Sequence, residues 1–316
     1  MATTQLIVSG SIARDRIMNF NGKYKDLIHP EKLHVLSLSV FIDKLEETNG
    51  GVGVNICYNS AQLGDNPVLL GSVGKDSTDY IDELKSKGVN TDHVHFSDLA
   101  TASFSVITDS ENNQVGGFYP GAMFDADSLV VGPWQNQDAL VVIAAHAPDA
   151  MRKQAEDCKQ LGIKYMYDPG QQVTNLSGED MLAGITGAEI VAVNDYEMGV
   201  MCEKAGITAE QIKSQTPIVI TTFGGEGSII EGTATKEPIK VPATKPSEVK
   251  DPSGAGDSYR AGFLHGYLRQ WELRTSAQHG SVWASFIVEQ HGTLHDLDKK
   301  AVSDRYEATF NERIEL

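Results

Sequence analysis

The chain has 316 residues, 41% hydrophobic and 22% charged, enough for a sizeable α/β core carrying an insertion. Its net charge of −17 argues against a surface built for nucleic acid or an anionic membrane, yet leaves room for a phosphorylated small molecule held by local donors or a metal ion. Cys57, Cys158 and Cys202 lie far apart with no Cys-x-x-Cys spacing, and the start MATTQLIVSG has no basic region or long apolar core, so a cytoplasmic protein with free thiols is expected.

Taken in order, residues 5–10 (QLIVSG) read as a buried strand. Residues 15–48 then break the pattern, and within them LHVLSLSVFID (33–43) alternates as a strand with one buried face would. Helices are predicted over 53–63 and 77–88, with a strand at 67–73 between them. Residues 101–121 read as a β-hairpin with DSENNQ at its tip. Apolar strands at 139–145, 163–168, 188–193 and 217–222 alternate with helices at 148–161 and 195–204, and helical patterns at 254–270, 274–289 and 298–312 close the chain. The longest apolar run, ALVVIAA (139–145), is far too short to span a bilayer. This rhythm predicts an α/β fold, a mostly parallel sheet with helices on both faces. The core is expected from 1–14, 49–100 and 122–316, with 15–48 and 101–121 forming a small inserted β-lid. The lid's strands present pairing edges, so a homodimer through the lid is a further expectation.

The most informative stretch is KDPSGAGDSYRAGF (250–263). Gly254 and Gly256 allow a tight bend into a helix, Ala255 keeps the wall small, and the unpaired N–H groups of a helix start suit an anion. Asp257 in that first turn would accept a proton from a hydroxyl attacking a phosphoryl group, or would merely complement the helix dipole. NGGVGVN (49–55) offers Gly51 for close approach to the backbone and Asn55 as donor and acceptor for vicinal hydroxyls; it lacks the spacing of a dinucleotide fingerprint. Asp15, where the chain leaves the first strand, is either a grip for sugar hydroxyls or a solvated carboxylate.

Phe104 and Phe118 in the hairpin are core residues or flat faces for a purine. Gln171 and Gln172 follow a predicted strand at the edge where α/β sheets bind ligands, and are substrate readers or plain loop amides. Asn194 and Glu197 have the spacing of a capping box. TTFGGEGS (221–228) reads as a hairpin. His291 and His295 lack a third metal ligand. There is no Walker lysine loop, no His-Glu-x-x-His and no Gly-x-Ser-x-Gly elbow, so phosphate handling is left to the glycines before the helix.

DPSGAGDSYRAGF resembles the C-terminal signature of the ribokinase-type (phosphofructokinase-B) carbohydrate and nucleoside kinases. Pro252 stands where many members have threonine, a variant associated with nucleoside kinases. SGSIARDRIMNF, LHVLSLSVFIDKL, GGVGVN and FYPGAM are similar to bacterial adenosine kinases of the mycobacterial type, so the resemblance covers almost the whole chain. It implies a ribokinase-like fold and ATP-dependent phosphorylation of adenosine to AMP in purine salvage. The alternatives it leaves are a broader nucleoside kinase (inosine, guanosine, cytidine), a sugar kinase, or an inactive nucleoside-binding protein.

By matching position, the resemblance makes Asp257 the base and Gly254, Ala255 and Gly256 the anion hole. Ser11, Asp15, Ser39, Gly51 and Asn55 would contact the sugar, and Phe104, Phe118, Gln171 and Gln172 the rest of the nucleoside. Thr222, Gly224, Gly227 and Gly292 would meet ATP. Asn194 and Glu197 would organise Mg2+ through water, with K+ a further ion.

Overall fold

The computed structural model describes residues 4–126 and 128–314; the outermost residues of the expected core, 1–3 and 315–316, lie outside the described residues, as does Asp127. The first half runs β1 (Gln5–Ser9), β2 (Ala13–Asn19), α1 (Tyr24–Leu27), a 3-10 turn (Pro30–Val35), β3 (Lys44–Gly50), α2 (Val52–Leu63), β4 (Val68–Leu70) and β5 (Ser72–Gly74). It continues with α3 (Thr78–Ser86), β6 (His95–Ser97), β7 (Ala102–Thr108), β8 (Gln114–Tyr119), β9 (Ala139–Ile143), α4 (Pro148–Leu161) and β10 (Lys164–Tyr167). The remainder is α5 (Gly178–Ile185), β11 (Ile190–Asn194), α6 (Asp195–Ala205), α7 (Ala209–Gln215) and β12 (Ile218–Thr222). A returning pair, β13 (Ser228–Glu231) and β14 (Ile239–Val241), precedes α8 (Ala255–Leu268), α9 (Leu273–Ile287) and α10 (Lys299–Phe310).

The main sheet has the order β14-β13-β12-β11-β10-β9-β1-β4. It is parallel from β4 to β12, and antiparallel where β13 and β14 extend it. Its parallel strands are nearly continuous apolar runs because both faces are covered, whereas β13 and β14 are only partly buried. Leu6, Val8, Leu140, Val142, Ile190 and Ile220 pack into one cluster with side chains of α2, α3, α8 and α9. The residues between them, Ile7, Val141, Ile143, Val191 and Val219, pack into a second cluster with α4, α5, α6 and α7. The period of two thus sends neighbours along one strand to opposite cores.

From β1 the chain goes first to β4 on one side, then to β9 on the other. That reversal opens a crevice beyond the carboxyl ends of the parallel strands, where the loops after Ser9, Ile143, Tyr167, Asn194 and Thr222 gather.

A second sheet, in the order β3-β2-β7-β8, stands apart in pairing from the first. Here β2 and β7 are parallel, and the two outer pairs antiparallel. Its register puts Asp15 beside Phe104 and Phe104 beside Phe118, one row across the sheet and therefore one face. The hairpin expected at 101–121 forms as β7 and β8.

The strand expected at 33–43 does not form. Those residues are the end of the 3-10 turn and an irregular stretch, and β3 begins only at Lys44. Leu33, Val35 and Leu36 are more than half exposed and Phe41 almost fully so, which means that the alternation has no layer to pack against. Among the described residues no helix is long and apolar enough to cross a membrane.

Candidate active site

Three cavities line the crevice and share walls. The first, about 570 Å³, is lined by Ser11, Asp15, Gly51, Asn55, Phe104, Phe118, Gln171, Gln172, Gly254 and Asp257. The second, about 400 Å³, is lined by Asp168, Asn194, Asp195, Glu197, Thr222, Gly224, Gly254, Gly256, Asp257 and Arg260. The third, about 500 Å³ and largely apolar, is lined by Thr222, Gly224, Gly227, Ala255, Gly256 and further residues of 243–288. Asp257 and Gly254 belong to both the first and second cavities; Thr222, Gly224 and Gly256 to both the second and third.

The centre is the start of α8. Gly254 is its N-cap at φ 72°, a left-handed conformation that side chains resist, and a Cβ there would lie 2.8 Å from Thr293 Cγ2. No side chain caps this helix; Ala255 N reaches Pro252 O at 3.3 Å, and Ser258 N is bonded to Gly254 O at 2.9 Å. The amides of the turn between them are left to face the second cavity, at the positive end of the helix dipole.

Asp257 accepts from Asn55 Nδ2 at 2.7 Å, and Asn55 Oδ1 in turn accepts from Thr293 Oγ1 at 2.8 Å. Asn55 is therefore a buried group rather than a helix-surface residue. Desolvation raises the Asp257 pKa above the ordinary carboxylate value, opposed by the Arg260 guanidinium and the Asn55 hydrogen bond. Desolvation also raises that of Asp15, with the Asp251 carboxylate adding to it.

Beside Asp257 lies a buried charge cluster. Arg260 contacts Asp168 through Nε and stands 4.0 Å from Glu197 Oε2 through Nη2. Burial holds Asp168 above the usual carboxylate range, with Arg260 opposing and the carboxylates of Glu197 and Asp257 adding. Asn194 and Glu197 do form the expected capping box: Glu197 N donates to Asn194 Oδ1 at 2.7 Å, and Asn194 N to Glu197 Oε2 at 2.8 Å. Among the described residues Glu197 Oε1 then has no hydrogen-bond partner, and the cavity's described lining sets Asp168, Asp195, Glu197 and Asp257 against one cation, Arg260.

Such an excess of carboxylates suits a hydrated divalent cation carried with a phosphate chain. Among the described residues no three acidic, histidine or cysteine side chains are grouped to ligate a metal directly.

Of the other expected residues, Ser11 Oγ accepts from Val52 N at 3.0 Å at the start of α2. Gly51 sits at φ 107°, where a Cβ would come within 2.5 Å of Ser11 O, so a glycine at this position is a requirement of close packing. Phe104 and Phe118 are 40% and 48% exposed, so their faces are open to the first cavity rather than spent on a core. Gly227, at φ 103°, shapes the turn between β12 and β13.

Two expected residues are not brought to these cavities. Ser39 is exposed in the irregular stretch before β3. Gly292 uses its amide to donate to Asp251 Oδ2 at 3.0 Å, and its neighbour Thr293 lines the first cavity instead.

Residues that sequence reasoning missed are Arg260, Asp168, Asn175, Thr293 and the apolar lining of the third cavity, among them Val249, Ala284 and Val288. Arg260 lies three residues after Asp257 on the same helix face, a spacing that could have flagged it. The others depend on folding at a distance.

The sheet order, the second sheet and the uncapped glycine start of α8 go with a ribokinase-like α/β fold. A ribokinase from Thermotoga maritima shares it at a TM-score of 0.78, 15% identity, over 98% of this chain and all of that one. Residues 21–300 match the pfkB family of carbohydrate kinases, and the chain belongs to that family.

Among curated relatives, a nucleoside kinase of Methanothermobacter thermautotrophicus is 31% identical over 89% of this chain and 91% of its own length. An adenosine kinase of Saccharomyces cerevisiae is 23% identical over 80% and 82%. Among solved structures, the nucleoside kinase of Burkholderia thailandensis in complex with inosine superposes at a TM-score of 0.86 with 28% identity, covering 98% of this chain and all of that one.

Proposed function

We propose that the protein is a nucleoside kinase transferring the γ-phosphoryl group of ATP to the 5′-hydroxyl of a nucleoside, with adenosine one acceptor among several. The observation that carries this reading is Asp257, which lines both the cavity holding Asp15 and the two phenylalanines and the cavity facing the α8 amides. A hydroxyl delivered from the first cavity meets a phosphoryl group resting in the second at that carboxylate.

Asp15 supplies acceptor oxygens for ribose hydroxyls, and Gly51 lets the sugar rest on backbone. Phe104 and Phe118 offer flat faces to the base, which a free sugar would not use. Asn55 holds Asp257 in position and keeps an amide hydrogen for the sugar. Asp257 takes the hydroxyl proton as the new oxygen–phosphorus bond forms, and ADP leaves with the electrons of the bond that breaks. The unpaired amides at the start of α8 stabilise charge on the transferring group, each such donor typically supplying about 3–4 kcal/mol. Mg2+, when bound, neutralises phosphate charge, and Asn194 and Glu197 would hold it through water. The apolar third cavity takes the nucleotide base.

Breadth of acceptor is favoured over adenosine alone by the relatives: the 31% identical one is a nucleoside kinase, whereas the adenosine kinase stands at 23%. The test is ADP release over a panel of adenosine, inosine, guanosine, cytidine and ribose. More than one nucleoside should drive ATP consumption and ribose should not. Turnover with ribose alone, or with no acceptor at all, would overturn the proposal.

A further inference from the structure

The first cavity is bounded by the 3-10 turn Gly170–Thr174 and by Asn175, which follows it. Asn175 Nδ2 donates to Gln172 Oε1 at 3.0 Å, and both residues line the cavity. A primary amide carries donors on nitrogen and acceptor lone pairs on oxygen. The mutual bond therefore leaves Gln172 Nε2 as a donor and Asn175 Oδ1 as an acceptor. If both amides rotate by half a turn, the bond between them survives and the outward roles exchange: position 172 then accepts and position 175 donates. The charged side chains of this cavity, Asp15 and Asp257, come from β2 and α8, and neither hydrogen-bonds to the pair, so no fixed charge selects one orientation.

We propose that Gln172 and Asn175 act as one reversible amide pair that reads the edge of the nucleobase and admits both 6-oxo and 6-amino purine nucleosides. This rests on the nucleoside-kinase reading and deepens it. A 6-oxopurine shows an acceptor at O6 beside a donor at N1, and a 6-aminopurine shows a donor beside an acceptor. One orientation of the pair complements each. The open faces of Phe104 and Phe118 line the same cavity and are sequence-tolerant, because any base has a π-face.

The experiment compares kcat/KM for inosine, adenosine and purine riboside, which has no group at C6. In the unmodified protein, inosine and adenosine are expected within about tenfold of each other, and each above purine riboside by about tenfold, the worth of one neutral hydrogen bond. In Gln172→Met, and separately in the exposed-position variant Asn175→Ala, both advantages should shrink toward parity. The double variant should do little more than either single, because the two amides act as a unit.

A wild-type preference beyond about a hundredfold for one C6 group, as a site committed to one pattern would give, overturns the pair. So does full retention of both advantages in the two variants. The same ratios are read as Kd by calorimetry. Absence of turnover with all three nucleosides would thus defeat the kinase reading while the binding ratios still judge the pair.

Discussion

Asp257 is one carboxyl under four influences: desolvation that raises its pKa, the Arg260 guanidinium and the Asn55 amide that lower it, and the Glu197 carboxylate that raises it further. A base must be ionised to accept a proton, and a raised pKa makes it a stronger acceptor once ionised. Activity is therefore expected to fall as pH drops through a point above the ordinary carboxylate range. Asp257→Asn keeps the shape and the Asn55 contact region but cannot take the proton. Its kcat should drop by about 10²–10⁴, the usual span for a lost general base, with nucleoside affinity by calorimetry largely retained. Lost nucleoside binding together with preserved turnover would remove Asp257 from the base role. Arg260 explains how Asp168, Glu197 and Asp257 share a small volume: without that guanidinium, Asp168 would be a buried and unpaired carboxylate.

Among the elements, the β7–β8 hairpin depends on one side chain at its turn. Asp109 accepts from the backbone N–H groups of Tyr24, Glu111 and Asn113 and from the Asn113 amide, joining the hairpin to α1. Desolvation would raise its pKa, but these hydrogen bonds overcome it and lower the pKa to about 2. A depressed carboxyl contributes stability that is complete above its unfolded pKa, 3.8, and is lost as pH falls through its folded one. Asp109→Asn should accordingly speed hydrogen exchange at the Tyr24 and Asn113 amides at neutral pH. The difference from wild type should narrow as pH falls from about 4 to about 2. A difference that stays constant across that window would rule out the carboxylate as its source.

Legibility at this scale follows packing. The parallel strands of the main sheet were readable because two cores demand apolar residues along them, whereas β14, with Lys240 exposed at the sheet edge, carries no such run. Residues 33–43 misled because their alternation met no second layer. Helices α5 and α7 went unread although each opens on a capping box, Ser177 with Asp180 and Thr208 with Gln211, a signal that was available in the sequence.

At the level of the whole molecule, the first cavity draws its walls from both layers: Asp15, Phe104 and Phe118 from the smaller sheet, Gln172 from the turn after β10 and Asp257 from α8, which packs on the larger sheet. A nucleoside that touches both should stabilise the folded chain in a single transition. At a hundred times its Kd the linkage is about 2.7 kcal/mol, visible as a rise in Tm. Ribose at the same concentration lacks a base for the phenylalanines and should raise Tm less. Equal shifts from ribose and nucleoside would place the base outside the cavity.

By itself the sequence determined the α/β class and the glycine-cleared start of α8 with Asp257 in its first turn, because these rest on local periodicity, turn chemistry and a continuous motif; Asp15, Asn55, Phe104 and Phe118 were singled out only through the resemblance to ribokinase-type kinases. Only the tertiary structure decided that Asp15, Phe104 and Phe118 share one row of a sheet, that Asn55 grips Asp257 across 202 residues of chain, and that the turn carrying Gln172 and Asn175 comes to the same cavity as these residues. Strand register and side-chain hydrogen bonds between distant segments depend on how whole elements pack, and no local pattern of residues encodes that.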